Sequence, residues 1–184
     1  MTDTPAPTTS IPERPTLDGL EEKWMQVWAD AGTYAFDRER ALRLPRDQVF
    51  AIDTPPPTAS GSLHVGHVFS YTHTDCMARY KRMQGFEVFY PIGWDDNGLP
   101  TERRVQNYYG VRCDPSLPYD PSFEPPEKPG KDQVPVSRRN FVELCMQLTE
   151  ADEAEFEKLW RRVGLSVDWS NVYRTISESS RATA

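Results

Sequence analysis

Cysteine is scarce in this chain, and its spacing excludes the sites that depend on it. The 184 residues contain three cysteines, Cys76, Cys113 and Cys145, which are odd in number, far apart and not in a CxxC pattern. We therefore exclude a disulfide framework and a zinc knuckle, and we expect reduced thiols in a cytoplasmic protein.

Long apolar runs are also missing. No stretch approaches the ~20 apolar residues of a transmembrane helix, so no membrane partner is expected. The first residues, MTDTPAPTTSIPERP, lack the apolar core of a signal peptide and are rich in proline and threonine. We predict a disordered tail over 1–15, followed by one domain over 16–184.

The chain has fewer positively charged than negatively charged side chains. Lysine and arginine number 21 against 28 aspartates and glutamates, which gives a formal net charge of -7. This balance argues against the segment being, by itself, the main platform for a polyanion such as RNA, although it is compatible with a small basic patch. Nothing in the sequence indicates a protein partner.

What the chain does have is an alternation of strand and helix patterns. The apolar spacing predicts, in order, a helix from Leu17 to Ala31, a strand over Val49–Asp53, a helix from Gly66 to Met83, a strand over Phe86–Trp94 and a helix from Leu99 to Gly110. Strands that alternate with helices predict an α/β fold: a parallel sheet with right-handed crossover helices, preceded here by an N-terminal helix.

The next stretch changes character. Prolines crowd 112–136, which predicts an extended surface loop or a partly disordered insertion. Two helices are expected after it, over Ser137–Leu148 and from Thr149 to Gly164, and then a strand or extended segment at VDWSNVYRT. The residues after this segment suggest no closing element, so the sheet looks like the first part of a larger one.

Between the first strand and the following helix lies PPPTASGSLHVGHVF, from Pro55 to Phe69. A tight loop that leads from a strand into a helix N-terminus makes an anion site, because free backbone N–H groups and the helix dipole point at the ligand. His64 and His67 are three residues apart and can both donate hydrogen bonds to one phosphate, where such donors stabilise developing negative charge.

This stretch has two other interpretations. A bare HxGH is equally compatible with two exposed surface histidines. A metal site made of His64, His67, His73 and Cys76 is rejected, because at about 100° per residue His73 points away from His64. We therefore predict no metal ligands in this chain.

The motifs resemble those of a known family. PPPTASGSLHVGH resembles the first signature, the HIGH motif, of class I aminoacyl-tRNA synthetases, although HxGH alone is shared by the wider nucleotidylyltransferase superfamily. GWDDNGLPTE, from Gly93 to Glu102, is similar to the pattern of the subgroup that activates valine, isoleucine and leucine. Within that subgroup the resemblance is greatest to valyl enzymes, and it extends over about 17–180.

The resemblance implies a fold, a reaction and a set of residues. The fold would be the first half of a Rossmann-like nucleotide-binding domain, and the reaction would be ligation of valine to tRNA(Val) in protein biosynthesis, with ATP and its magnesium ion (Mg2+) as cofactors. His64 and His67 would be catalytic. The ATP-binding stretch would be Gly61, Ser62, Leu63, His64, Val65, Gly66 and His67, and the amino-acid site would be Pro55, Pro56, Pro57, Thr58 and Asp95.

Within that set, Asp95 has a physical argument of its own. A carboxylate at the C-terminus of a strand can pair with the substrate α-ammonium, next to the Pro55 carbonyl. Alternatively, Asp95 caps the helix that follows, which Asp96 could do equally well. Asn97 and Glu102 stay ambiguous between pocket support and loop structure.

The chain lacks a KMSKS-like stretch, an editing domain and anticodon-binding helices, so we expect an incomplete and inactive catalytic fragment. The alternatives are a non-catalytic nucleotide-binding fragment, an isoleucyl- or leucyl-type synthetase, and a small-metabolite nucleotidylyltransferase, which would leave GWDDNGLPTE unexplained.

Overall fold

The computed structural model describes residues 16–60, 63–128, 130 and 132–184, so the tail predicted over 1–15 lies outside the described residues. The elements, in chain order, are α1 (Leu20–Asp30), α2 (Arg38–Arg43), β1 (Val49–Ala51), α3 (Val65–Met83), β2 (Glu87–Phe89), β3 (Ile92–Trp94), α4 (Leu99–Tyr109), β4 (Val111–Cys113), β5 (Val134–Val136), α5 (Arg138–Arg162), β6 (Val172–Arg174) and α6 (Glu178–Thr183).

Every strand pair in the described residues is parallel, which confirms an α/β architecture of parallel strands and helices. The strands form three separate pairs instead of the one sheet that was predicted: β1 pairs with β2, β3 with β6, and β4 with β5. The single strand predicted over Phe86–Trp94 was wrong, because the structure has two short strands there, and they pair with different partners. Pro91 lies between them and has no N–H to continue a ladder.

Helix α3 begins and ends where the sequence indicates. It starts one residue after His64 and runs for 19 residues to Met83. Gly85 follows with φ +88°, a left-handed conformation that glycine adopts without strain and that stops a helix. The buried face of α3, which carries Tyr71, Asp75 and Ala78, fixes the direction in which its N-terminus points.

One continuous helix, α5, replaces the two that were predicted between Ser137 and Gly164. It has 25 residues and no break at Thr149. The Thr149 hydroxyl donates to the backbone carbonyls of Cys145 and Met146, each at 3.0 Å, as threonines inside helices do. Asp152, the expected capping partner, instead forms an ion pair with Arg104 of α4 at 3.2 Å.

Helix α5 packs into two separate apolar clusters. Its first half places Phe141, Leu144 and Leu148 against α4 and β4–β5. Its second half places Phe156 and Trp160 against α3 and the strands β2 and β3. Because one rigid helix passes through both clusters, the two halves of the described chain are held in a fixed relation.

The proline-rich stretch leaves β4 and returns at β5. Its described residues form exposed turns, in which the carboxylates of Asp114 and Asp120 accept hydrogen bonds from Ser116 and Ser122. The side chain of Asn140 donates to the Asp120 carbonyl at 2.6 Å and ties these turns to α5.

Two helices were not predicted, and neither were the strands β4 and β5, which lie at the ends of the stretch predicted as a loop. Helix α2 begins after Asp37, whose carboxylate accepts from the Arg40 N–H. Helix α6 begins after Ser177, whose hydroxyl accepts from the Ser180 N–H, and it lies in the last residues, where no closing element was expected. Both are short helices of six residues with a side-chain cap, a local signal that apolar spacing does not detect. Among the residues that the structure describes, no helix combines the length and the apolar character needed to cross a membrane.

The continuity of α5 can be tested with a pair of hydroxyl deletions. We expect Thr149→Val to change the free energy of unfolding by less than about 0.5 kcal/mol, because the two carbonyls it leaves are already bonded within the helix. Ser137→Ala should cost about 1–2 kcal/mol, since Ser137 is the actual N-cap and bonds the Asn140 N–H. Urea unfolding measures both, and an equal loss for the two variants would indicate a break at Thr149.

Candidate functional site

The two histidines lie at the first turn of α3. His64 is the N-cap, with φ −121° and ψ 165°, and His67 sits in the first helical turn. Their rings stack with centroids 3.9 Å apart and planes inclined by 21°. His67 Nδ1 accepts a hydrogen bond from the His64 N–H at 3.4 Å, so the local backbone fixes which ring nitrogen of His67 is left for a ligand.

Gly66 leaves room for the His64 ring. A Cβ at residue 66 would lie 3.0 Å from His64 Nδ1 and 3.1 Å from Cε1, closer than nine in ten real Cβ contacts. A larger residue would therefore require the His64 ring to shift by a few tenths of an ångström. This gives Gly66 a role within the protein itself, in addition to the approach of a ligand that its sequence position suggested.

The electrostatics at His67 favour a neutral imidazole. Burial lowers the pKa of His67, and the neighbouring His64 lowers it further. His64 is exposed and His67 is half-buried, so both rings remain reachable from solvent at the positive end of the helix. A phosphate placed here would meet ring donors together with the backbone N–H groups of the first turn.

The rest of the predicted ATP-binding stretch divides into three parts. Gly61 and Ser62 lie outside the described residues. Leu63 is half-buried and packs on the core cluster of α3 and α5. The side chain of Val65 is 84% exposed, so only its backbone is fixed by the helix.

The proline run uses its carbonyls as acceptors. The Pro57 carbonyl accepts from the Asp95 N–H at 3.0 Å, and the Asp95 carbonyl accepts from the Ala59 N–H at 3.1 Å. The Pro55 carbonyl accepts from the hydroxyl of Tyr71 at 2.6 Å. Pro55 is exposed, Pro56 is half-buried and Pro57 is buried, so the run passes from the surface into the core.

Tyr71 was not identified from the sequence. It is 6% exposed, and its ring packs on Trp160 of α5 with centroids 4.9 Å apart. Burial also raises its pKa, which keeps the hydroxyl protonated as a donor to Pro55. Tyr71 thus links the histidine helix to the proline run, and a tyrosine on an apolar helix face gives no sequence signal of such a bond.

Asp95 lies between two threonines. Its carboxylate accepts from the Thr58 hydroxyl at 3.2 Å and from the Thr175 hydroxyl at 3.4 Å. Thr58 forms a parallel bridge with Asp95. The structure therefore brings together Asp95, Thr58 and the proline run, as predicted, and it adds Thr175.

Neither aspartate caps α4. The N-cap of that helix is Gly98, with φ +92° and no side-chain cap, so the capping alternative for Asp95 and Asp96 is wrong. Asn97 and Glu102 are both exposed.

Asp96 is buried, unlike Asp95. It is 3% exposed, and neither carboxylate oxygen has a hydrogen-bond partner among the residues described. Burial, and then the negative charge of Glu153, raise the pKa of Asp96 to about 7, and Arg174 partly offsets this rise. Glu153 itself is held by two hydrogen bonds from Arg174, at 2.8 and 2.6 Å.

A separate apolar cavity of about 400 Å³ lies between α1 and the segment after α5. Trp28, Tyr34 and Trp169 line it, and none of the predicted site residues does. Over the described ranges, no group of three or more histidine, cysteine, aspartate or glutamate side chains is arranged to hold a metal ion.

The buried carboxyl of Asp96 predicts a pH dependence of stability. Its pKa is raised in the folded state, so its contribution is fully present below about pH 4 and is lost as the pH rises through about 7. Asp96→Asn removes this loss. Near pH 4 the free energy of unfolding of the variant should equal that of the unmodified chain. Between pH 4 and pH 7 the variant should become the more stable of the two, by about 1.4 kcal/mol per unit of difference between the folded and unfolded pKa of Asp96.

Urea unfolding between pH 4 and 8 measures this difference, with the exposed Asp47→Asn as the matched control. A flat difference curve for Asp96→Asn would show that Asp96 is ionised in the fold.

Similarity to known proteins identifies the family of this chain. Residues 23–184 match the family model of tRNA synthetases class I (I, L, M and V). The chain is 66% identical over 176 residues to a valine–tRNA ligase of Thermobifida fusca, which covers 95% of this chain and 20% of the relative. It is 67% identical over 175 residues to the valine–tRNA ligase of Cutibacterium acnes, a match that covers 95% of this chain and 20% of the relative. It is 64% identical over 181 residues to the valine–tRNA ligase of Leifsonia xyli, a match that covers 95% of this chain and 21% of the relative.

Among solved structures, the chain resembles the LeuRS of Agrobacterium radiobacter K84, which was crystallised in a ternary complex with tRNA and LeuAMS. The TM-score is 0.59 at 22% identity, over 87% of this chain and 16% of that one, which shows a shared fold. The chain spans about a fifth of the length of the curated relatives it matches. With the family model matched from residue 23 to residue 184, the chain belongs to the class I tRNA synthetases of the isoleucine, leucine, methionine and valine group.

Proposed function

We propose that this chain forms the part of a valine-activating site that holds the ATP phosphates and the valine α-ammonium, within a valine–tRNA ligase. The observation that carries the proposal is the backbone and side-chain bonding of Asp95 to the proline run that leads into the histidine turn of α3. The carboxylate that would bind the ammonium is thus hydrogen-bonded to the same segment that carries the imidazoles that would bind the phosphates.

The reaction is the transfer of an adenylyl group. A carboxylate oxygen of valine attacks the α-phosphorus of ATP and forms the new P–O bond, while the bond to the bridging oxygen breaks and pyrophosphate leaves with the electron pair. Such a displacement needs positioning and charge stabilisation more than covalent help. This agrees with a site of imidazoles and backbone N–H groups. Transfer of the valyl group to tRNA(Val) would follow in the complete enzyme.

His64 and His67 would donate to the ATP phosphates and stabilise the charge that builds up as pyrophosphate departs. The stretch from Gly61 to His67 would follow the nucleotide, with Gly66 keeping the backbone close to the His64 ring. Magnesium would arrive with ATP. It is usually bound through phosphates, waters and one or two carboxylates, so it fits a site that lacks a dedicated acidic cluster in the described residues.

The part of the site that binds the amino acid would recognise valine by charge and by shape. Asp95 would pair with the α-ammonium, and the Pro55 carbonyl, which has a second lone pair beside its bond to Tyr71, would accept another ammonium hydrogen. Pro56, Pro57 and Thr58 would form the adjoining wall. Valine specificity is supported by three valine–tRNA ligases that are 64–67% identical to this chain.

We further propose that residues 16–184 are the first part of a Rossmann-like catalytic domain, with 112–136 as an insertion, in an enzyme that works in the cytoplasm. In-line displacement needs charge stabilisation on the leaving pyrophosphate from the side opposite the histidines. These 184 residues alone should therefore bind ATP weakly and activate no valine.

The test is a chimera in which these residues replace the matching region of the Thermobifida fusca ligase. His64→Ala and His67→Ala should each lower valine-dependent pyrophosphate exchange by about 10²–10³, the usual value of one donor to transition-state charge. His73→Ala is the control, because this third histidine lies on the exposed side of α3 against Phe69. A rate for either site variant within about twofold of the parent chimera would remove these histidines from the mechanism.

A further inference from the structure

We infer that Thr175 is a positioning residue for the carboxylate of Asp95 and thereby for the α-ammonium of the amino acid. This inference rests on the proposed function of Asp95. It assigns a role to a residue that lies 80 positions further along the chain, at the end of the stretch VDWSNVYRT, which the sequence predicted only as a strand or extended segment.

The register of two parallel strands places Thr175 beside Asp95. β3 and β6 pair with Trp94 opposite Arg174, so the next residue of each strand follows at the same edge. The Thr175 N–H donates to the Trp94 carbonyl at 3.0 Å and extends the pairing to that edge. On the other side of Asp95, the parallel bridge to Thr58 does the same.

The hydroxyl of Thr175 has its single hydrogen available for Asp95. The Asp96 N–H donates to Thr175 Oγ1 at 3.1 Å, which occupies an oxygen lone pair and turns the O–H away from that amide. Oδ1 of Asp95 lies 3.4 Å from the same hydroxyl. This is long for an O–H···O bond, but hydrogen bonds in ligand-free sites are often long and tighten when the substrate binds.

Together the two threonines hold both carboxylate oxygens. Thr58 donates to Oδ2 and Thr175 to Oδ1, so rotation of the carboxylate group would break one bond or the other. A carboxylate has about four lone-pair sites, so two hydroxyl donors leave room for an ammonium. The carboxylate is then oriented before the substrate arrives, and less conformational freedom is lost on binding.

A purely structural role for Thr175 would have different consequences. Its bond to the Asp96 N–H supports the turn after β3, and loss of that support alone would affect both substrates or the fold in general. Loss of orientation at Asp95 would act on the amino acid alone. The discriminating readout is therefore the KM for valine compared with the KM for ATP.

The experiment uses the same chimera with three variants. Thr175→Val keeps the shape and removes the hydroxyl, and we expect the KM for valine to rise about tenfold or more, the usual effect of one hydrogen bond to a charged group, while the KM for ATP stays within about twofold. Thr175→Ser restores the hydroxyl and should bring the KM for valine back to within about threefold of the parent. Thr72→Val is the matched control, because its exposed hydroxyl donates to the Val68 carbonyl of its own helix.

Each outcome separates the two claims. If the parent chimera activates no valine, the proposed function fails, and the inference fails with it. If the parent is active and Thr175→Val leaves the KM for valine unchanged, or raises both KM values alike, the inference alone is overturned. Should Thr175→Val not fold, Thr175→Cys replaces it with the same expected pattern, since a thiol is a weak donor of similar size.

Discussion

The candidate site depends on the way Asp95 is held by backbone pairing on both of its sides. Its N–H donates to the carbonyl of Pro57 in the proline run, its C=O accepts from the N–H of Ala59 just after that run, and the preceding carbonyl of Trp94 accepts from the N–H of Thr175. Peptide hydrogen bonds at this density fix the direction in which the side chain leaves the strand. A carboxylate at the C-terminal edge of parallel strands is also where α/β folds bind their ligands. The chemistry proposed for this chain follows from that placement.

The second half of α5 packs against the residues that hold the candidate site. Trp160, fully buried, packs at a tilt against Tyr71, whose hydroxyl donates to the Pro55 carbonyl. Phe156 lies 6.2 Å, between ring centroids, from His67. Asp96 and Glu153 bring buried acidic groups to the same region, where Arg174 neutralises one of them. The site therefore combines the exposed His64 and the half-buried His67 and Asp95 with a buried support, in which unneutralised charge is costly.

Local chemistry made some elements predictable from the sequence. The turn into α3, its end near Gly85 and the position of Asp95 after a strand all depend on residues close together in the chain. Thr175 and Tyr71 could not be found in this way, because their bonds to Asp95 and Pro55 arise from strand register and helix packing across 80 and 16 residues. The break predicted at Thr149 was wrong for another reason: a threonine caps a helix or bonds back within one, and only its tertiary neighbours decide which. Pro91 divided a predicted strand whose apolar run continued on both sides.

The most direct test of this account is a crystal structure of the chimera with a non-hydrolysable valyl-adenylate analogue, which carries the ammonium and the phosphate-like group in one molecule. We expect the ammonium nitrogen to lie about 2.7–2.9 Å from an oxygen of Asp95, with the Thr58 and Thr175 hydroxyls still bonded to the carboxylate. The phosphate-like group should lie at the first turn of α3, within hydrogen-bond reach of His64 or His67. An analogue bound with its ammonium away from Asp95, or with its phosphate-like group away from α3, would contradict it.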